Sequence, residues 1–300
     1  MQSEYYNLLL YGNYDAILNV DETPVYFSMQ TDKTIDTRGN PEVLIRKNGQ
    51  ERQRLTLVAG IIKSLKQDTN DELSCRCKPM LIFKGKTNRT LTTVSEENKN
   101  DPTIVLRFQE KAWITSSLYS EYLEKCIPDE WKGKKLLLVH DNCEPHMTEQ
   151  VKNKSSQLNI TLFNLPPNLT FAAQPLDVCV NKSLKNGLRA KFNQFLVEKN
   201  WNGESSDLVS KNMMIEWVKQ VWNEVPRELI AKSFSVCGLG VRPLSDESGN
   251  IYWRKLNVVQ NELNNITLPG VRTLIDSADL FRDGTSNNSI QIHPSHVAGQ

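Results

Sequence analysis

Two short apolar runs in this chain lead directly into an aspartate, and this arrangement limits the folds that the chain can adopt. The run 16–20 precedes Asp21, and the run 135–140 precedes Asp141. Runs of this length that are rich in Ile, Leu and Val predict short buried strands. We therefore expect both strands to end at their acid, so that both carboxylates face one cleft while the strands stay buried.

A third aspartate, Asp177, opens a segment with a helical pattern. A negative charge is favoured at the start of a helix. Three carboxylates in one cleft can hold divalent metal ions, because Mg²⁺ prefers oxygen ligands and keeps several of its waters. Two such ions about 3.5–4 Å apart can stabilise the attacking and leaving oxygens of a phosphoryl displacement. The pattern thus indicates a two-metal nuclease.

Each acid also has a purely structural interpretation. Asp21 could be a turn residue before Pro24, Asp141 could open an Asp-Asn turn, and Asp177 could cap a helix. Any one of them alone favours that interpretation, whereas the three together favour the metal site. Glu22 is one residue from Asp21 on an extended chain, so we expect it to point to the opposite side.

Short motifs surround these acids in a fixed order between about residues 15 and 240. They are Asp21-Glu-Thr-Pro24 and the segments 78–86, 108–114, 138–146, 165–168, 174–182 and 233–238. In this order they resemble the DDE-type transposases of the pogo and Tigger group, a superfamily related to centromere protein B and the Jerky proteins. The resemblance implies a ribonuclease H-like fold and an Asp21, Asp141 and Asp177 triad. It also implies DNA strand cleavage and transfer that depend on two Mg²⁺ or Mn²⁺ ions.

The spacing and the departures from the family pattern qualify the resemblance. The gap of 35 residues between Asp141 and Asp177 lies within the range of the family. Cys179 stands where the family commonly has glycine, and Glu144-Pro145 where a small residue is common. Family members carry helix-turn-helix domains before the catalytic domain, and 20 residues precede Asp21 here. We therefore expect that module to be absent, and a helix-turn-helix DNA-binding protein acting in trans becomes a candidate partner.

The order of elements predicts an α/β fold: a mixed sheet with a leading antiparallel meander, flanked by helices, as in ribonuclease H-like proteins. The predicted elements after the first strand are strands at 55–62 and 80–83 joined by a loop at 66–72, a helix at 116–126, the Asp141 strand, a helix at 144–157, a strand at 160–163 and a helix after Asp177. We divide the chain into a catalytic domain at 1–200, a helical extension packing on it at 201–249 and a partly disordered tail at 250–300.

Composition adds a charge argument. The net charge of +1 is low for a DNA-binding protein, so contact with DNA depends on local basic faces. Lys182, Lys185 and Arg189 fall on one strip beside Asp177, and Arg52 and Arg54 belong to a second basic cluster with Arg46 and Lys47. We predict DNA contact for the first strip. No run approaches a membrane helix, no signal peptide is visible, and the six cysteines lack zinc-ligand spacing.

Three functions stay open at this point. The chain is an active nuclear endonuclease or transposase, a non-catalytic DNA- or chromatin-binding descendant of one, or a truncated relic that folds without meeting DNA. The intact triad favours the first. A second copy of the chain is a further candidate partner.

Overall fold

A computed structural model of the chain describes residues 5, 8–9, 11–29, 49–65, 74–85, 93–165, 170–199 and 208–239, with the backbone of 244–245 and 251–252. The chain divides into two units, Met1–Arg242 and Pro243–Gln300. The first contains the main sheet and its helices. In the second, Leu244–Ser245 pairs antiparallel with Ile251–Tyr252.

The core of the first unit is a mixed sheet whose seven strands are β1 (Ala16–Tyr26), β2 (Arg54–Ser64), β3 (Cys75–Arg76), β4 (Met80–Lys84), β5 (Val105–Gln109), β6 (Leu136–His140) and β7 (Ile160–Asn164). Their order is β5-β4-β2-β1-β6-β7, with β3 paired to β2. β2 is antiparallel to both β1 and β4. β6 is parallel to β1, and β7 is parallel to β6. This confirms the ribonuclease H-like fold class.

Helices cover the sheet on both sides. They are α1 (Glu96–Lys99), α2 (Ser116–Lys125), α3 (Glu149–Gln157), α4 (Thr170–Ala173), α5 (Asn181–Glu198), α6 (Lys211–Glu224) and α7 (Arg227–Val236). Leu18 and Val20 of β1 pack in one cluster with Tyr119 and Leu123 of α2 and Val151 of α3. On the other face Trp222 of α6 donates a 2.9 Å hydrogen bond to the Cys77 carbonyl. No helix in the described ranges is long and apolar enough to cross a membrane.

Alternation along β1 decides which side chains meet which layer. Even-numbered residues from Ala16 to Val20 belong to the cluster with α2 and α3, and successive strand residues point to opposite faces. Asn19 and Asp21 therefore face the layer formed by α5 to α7. The two neighbouring acids Asp21 and Glu22 consequently begin on opposite sides of the sheet.

Several predicted boundaries were wrong. The first strand does not end at Asp21 but continues to Tyr26, because β2 pairs with it along its whole length. β6 pairs with β1 only from Ala16 to Asn19, which leaves one side of the later residues free and accommodates Pro24. The helix predicted from residue 144 begins instead at Glu149, where Thr148 is its N-cap and accepts from the Val151 N–H. The predicted loop at 66–72 and the tail beyond 252 lie outside the described residues.

Two strands of the main sheet were not predicted, the two-residue strand β3 and the strand β5. β5 carries Arg107 and Gln109 within a run of only five residues, so its apolar pattern is weak. It nevertheless pairs in parallel with β4 and extends that edge of the sheet. The leading part of the sheet is therefore antiparallel only as far as β4.

Candidate active site

Asp21 lies within the central strand β1 rather than in a turn. It pairs with Ala59 of β2, and its side chain is only 8% exposed. Asp141 directly follows β6. Asn19 of β1 pairs with Val139 of β6, and each acid lies two residues after its member of this pair. Because adjacent strands lie about 4.8 Å apart, this register brings the two acids to neighbouring positions at one end of the sheet.

Asn19 connects the three elements that carry the acids. Its side-chain amide donates a 2.8 Å hydrogen bond to the Val139 carbonyl of β6. Its side-chain oxygen accepts a 3.0 Å hydrogen bond from the Leu176 N–H, next to Asp177. Asn19 is fully buried, so both bonds form away from water, where an unsatisfied partner is costly. One side chain thus ties β1 to β6 and to the turn that contains Asp177.

Asp177 lies in a π-helical turn, Leu176–Val180, that leads into α5. Such turns are rare and occur frequently at functional sites. The Asp177 side chain is exposed and caps no helix in this turn. The prediction that Asp177 begins a helical segment is correct in outline, but the acid occupies a widened turn rather than a helix start.

Asn181 joins two of the acids. Its amide nitrogen is 2.9 Å from Oδ1 of Asp177 and 3.3 Å from Oδ2 of Asp21. One donor group therefore lies between the two carboxylates, with its partial positive charge facing both. Asn181 is four residues after Asp177, a spacing that places both side chains on one side of a helix.

Asp141 is held by two interactions. Its Oδ1 accepts a 3.3 Å hydrogen bond from the Cys143 N–H, and Nδ1 of His146 is 2.8 Å from the same oxygen. Burial alone would raise the pKa of Asp141, but the contact with His146 outweighs burial and lowers it. The Asp-Asn turn is therefore real, and it coexists with a carboxylate that is kept ionised.

His146 lies between two carboxylates. Its Nε2 is 3.2 Å from Oε1 of Glu22, and its ring stacks on Tyr119 with centroids 4.0 Å apart. Burial would lower the pKa of His146, but Asp141 and Glu22 together raise it to about 9. Glu22 thus leaves the sheet on the face opposite Asp21, as predicted, and still reaches Asp141 through His146.

The site concentrates negative charge. The pKa of Asp21 is raised well above its ordinary value, first because the carboxyl is buried and then because Asp177, Glu22 and Asp141 lie nearby. A buried carboxylate surrounded by other carboxylates resists ionisation. Asp21, Asp141 and Asp177, which come from three separate elements, therefore lie close enough to interact, and a bound cation would relieve their mutual repulsion.

A second group of possible metal ligands overlaps this region. The donor atoms of His140, Asp141 and His146 lie within 4.8 Å of one another. A metal ligand must be a neutral imidazole, whereas His146 is favoured in its charged form by the two carboxylates that it contacts. Burial lowers the pKa of His140 to about 3, so that ring is neutral. His146 suits the role of a cation paired with Asp141 better than that of a ligand.

The basic residues predicted to contact DNA lie on α5. Lys182, Lys185 and Arg189 are all exposed, and the stripe opposite them, Val180, Leu184 and Leu188, is fully buried. Sequence reasoning missed Asn19, Asn181 and His146. Two signals could have identified the asparagines: Asn19 shares a strand face with Asp21, and Asn181 shares a helix side with Asp177.

Comparison with known proteins identifies the family of this chain. The family model of the DDE superfamily endonucleases matches residues 68–234, more than half of the chain. The chain belongs to this family. Asp141 and Asp177 lie within the matched segment, and Asp21 precedes it.

The relatives are proteins of transposable elements. The proteins named "Pogo transposable element with KRAB domain" of Mus musculus and Homo sapiens are each 24% identical over 245 residues, which is 78% of this chain. The chain spans 37% of the length of these relatives. Among solved structures, a Mos1 transposase paired-end complex with the left transposon end has 12% identity and a TM-score of 0.40 over 77% of this chain and 59% of that chain. The catalytic domain of Mos1 mariner transposase has 11% identity and a TM-score of 0.35 over 79% and 90%.

Proposed function

We propose that this chain is the catalytic domain of a DNA endonuclease or transposase that cleaves and transfers DNA strands with the help of two divalent metal ions. The observation that carries the proposal is the position of Asp21 and Asp177 on either side of the Asn181 amide, with Asp141 at the end of the neighbouring strand. Family membership supports nuclease chemistry.

The residues present fit a pair of Mg²⁺ or Mn²⁺ ions. All three acids offer oxygen atoms, which are the ligands that these ions prefer. The amide nitrogen of Asn181 lies between Asp21 and Asp177, where it stands in for a positive charge. Burial and, after it, the neighbouring carboxylates raise the pKa of Asp21, and a bound cation would offset both effects. Asp21, Asp141 and Asp177 would hold the ions.

The protein side of the chemistry is positioning. His146 favours the ionised form of the Asp141 carboxylate and contacts one of its oxygens. The β1–β2 ladder holds the strand of Asp21, and Asn19 holds the turn that contains Asp177. When bound, the ions would activate a water for attack on a DNA phosphate and stabilise the leaving 3′ oxygen. The fixed carboxylates would supply a pre-formed set of ligands for both steps.

The substrate would reach the site over the basic strip of α5. This strip begins directly after Asn181 and consists of Lys182, Lys185 and Arg189. All three are exposed to solvent, where they can neutralise phosphates. A nuclear location follows from a DNA substrate. A second copy of the chain and a helix-turn-helix protein in trans are further partners within this proposal.

A plasmid-nicking assay tests the function. The purified chain should convert supercoiled plasmid to open circles with Mg²⁺ or Mn²⁺ and not with EDTA, and Asp141→Asn should abolish nicking. Asp129→Asn is the matched control, because Asp129 is exposed and pairs only locally with Lys132. Equal nicking by Asp141→Asn would refute the site. DNA binding that weakens with salt, without nicking by the wild-type chain, would instead support a non-catalytic DNA-binding protein.

A further inference from the structure

A groove distinct from the acid site opens where β1 ends and β2 begins. Its volume is about 930 Å³, and its floor is apolar, formed in part by Phe27, Phe83 and Ala112. Phe83 stacks on Phe108 with centroids 5.8 Å apart, which makes this floor part of the packed core. The groove is therefore a shaped surface rather than a gap between loose side chains.

The charges on its walls have one sign. Five basic side chains and no acidic side chain line the groove among the described residues, namely Arg52, Arg54, Lys84, Lys111 and Lys211. Within the ranges that the structure describes, none of the five forms an ion pair with a carboxylate. Unpaired cations around one concavity favour a polyanionic ligand.

An exposed aromatic ring completes the surface. The Trp113 side chain is 58% exposed, and Nζ of Lys111 is 5.9 Å from its ring centroid. An indole ring in water beside phosphate-binding cations is the combination with which proteins hold unpaired nucleotides, because each base can stack on the ring. An acidic peptide would use the cations and leave the ring without a partner.

The backbone holds Trp113 in this position. Ala112 is buried with a φ of 55°, a left-handed conformation that costs a residue with a side chain about 1 kcal/mol or more. The Ala112 carbonyl accepts a 2.6 Å hydrogen bond from the Thr56 hydroxyl, and Oε1 of Gln109 accepts a 2.6 Å hydrogen bond from the Lys111 N–H. Strain retained in this way marks a position where function is the first hypothesis.

The far wall is fixed as well. The side chain of Gln50 donates a 3.0 Å hydrogen bond to the Val209 carbonyl and accepts one of 2.9 Å from the Val209 N–H. These two bonds attach the segment before α6 to the turn before β2. Lys211, two residues later, donates to the Thr93 hydroxyl.

The groove lies at the same end of the sheet as the acids. Tyr26, at the end of β1, is five residues beyond Asp21, which corresponds to about 17 Å along a strand. Nucleotides follow one another at about 3.4 Å along a stacked DNA strand and are farther apart along an extended, unpaired strand. One DNA strand could therefore contact the acids and the groove at positions at most about five nucleotides apart.

We propose that this groove binds an unpaired single-stranded segment of DNA, with a base stacked on Trp113 and its phosphates held by the basic walls. The proposal rests on the proposed function only for the identity of the nucleic acid as DNA. The groove would keep hold of a strand end while the acids act on the phosphate some nucleotides away.

The test compares two fluorescent DNA probes in EDTA, using the full chain with Asp141→Asn so that no cleavage intervenes. One probe is a blunt duplex, and the other carries an unpaired extension of about eight nucleotides. Trp113→Ala should weaken binding of the extended probe by about 5- to 100-fold and leave the blunt probe within about twofold, whereas Trp113→Phe should retain most of the affinity. Lys84→Ala with Lys111→Ala should lower the salt slope for the extended probe by about 1.4.

Matched controls are Tyr11→Ala, an aromatic ring that is 81% exposed elsewhere, and Lys132→Ala, a half-exposed lysine on another face. Unchanged affinity of the groove variants would overturn the proposal, as would equal losses on both probes. Competition by polyglutamate as strong as that by single-stranded DNA would also overturn it. These outcomes are distinguishable from those of the nicking assay. If the chain nicks plasmid while its groove variants bind both probes normally, only the proposal for the groove is refuted. If the chain never nicks but Trp113→Ala weakens binding of the extended probe, only the nuclease function is refuted.

Discussion

The side-chain oxygen of Asn19 accepts a 3.0 Å hydrogen bond from the backbone N–H of Leu176, the residue before Asp177. The two residues are 157 positions apart in the chain, so this bond fixes the place of the third acid relative to the first. The other end of the same side chain holds β6, which carries Asp141. The distances among three acids thus depend on one buried amide.

Replacing Asn19 with leucine should therefore damage both the fold and the site. The change leaves the Val139 carbonyl and the Leu176 N–H buried without partners, at a cost of about 1–3 kcal/mol each. We expect a clear loss in the free energy of unfolding, measured with urea, and a loss of nicking at temperatures where the variant is still folded. Asn19→Asp keeps an acceptor for the Leu176 N–H but adds a buried carboxyl group two residues from Asp21, so we expect it to destabilise the fold as well. Wild-type stability in Asn19→Leu would contradict the role assigned to this residue.

Asp21→Asn should separate stability from activity. The folded state raises the pKa of Asp21, so the ionised carboxylate destabilises the metal-free protein at neutral pH. Removing the charge should raise the melting temperature in EDTA, by about 2–4 °C for each kcal/mol gained. Nicking should disappear. Asp177→Asn is the control, because that side chain is exposed and its neutralisation should change the melting temperature less. A lower melting temperature for Asp21→Asn would show that the repulsion argument is wrong.

The ion pair of His146 and Asp141 predicts a pH window for stability. The folded pKa of His146, about 9, lies above its ordinary value of 6.5, so its contribution is complete below pH 6.5 and is lost as pH rises to about 9. The lowered pKa of Asp141 means that its contribution is present above its ordinary pKa and is lost as pH falls through the folded value. The metal-free protein should lose on the order of 1–3 kcal/mol between pH 6.5 and 9 through this pair.

Measuring melting temperatures in EDTA at pH 6.5 and 9 for the wild type and for His146→Gln checks this window. The variant should show the smaller decrease. His140 does not interfere there, since its pKa is lowered to about 3 and its effect falls below pH 6.5. Identical decreases in both proteins would exclude the ion pair as a source of stability.

The packing of α6 on α5 provides a test outside the site. A Cβ atom at Gly187 would lie 2.5 Å from Cγ1 of Val221, too close for two carbon atoms. Gly187→Ala should therefore destabilise the fold by about 1–3 kcal/mol, although alanine is the better helix former. In the Val221→Ala background the same change should become neutral or stabilising, by up to about 1 kcal/mol. Equal destabilisation in both backgrounds would contradict the close approach of the two helices.

Part of this fold follows from local sequence patterns. β1, β2, β6 and β7 were predictable because each is a compact apolar run between polar segments. β5 was not, because Arg107 and Gln109 break its pattern and only its pairing with β4 makes it a strand. The acids could be identified from their local settings and from the family resemblance, but the length of β1 beyond Asp21 could not, because it depends on β2 rather than on residues 21–26.

The supporting residues of the site show the same division. Asn181 and Asn19 have spacing that relates them to an acid on the same element, so a local rule could have found them. His146 has no such relation, because its two partners come from β1 and from the end of β6. Its role arises only when the chain has folded and the stacking on Tyr119 has fixed the ring.

The unequal lengths of β1 and β6 have a consequence for how this fold tolerates change. Asp21 is anchored through the ladder to β2, whereas Asp141 begins the segment after β6. A change in the segment after β6 therefore acts on Asp141 directly, and it reaches β1 through side-chain contacts such as that of His146 with Glu22. Beyond Asn19, β1 pairs with β2, and β6 pairs with β7, so the Asn19 side chain is a contact that ties the strand of Asp21 to the strand that precedes Asp141.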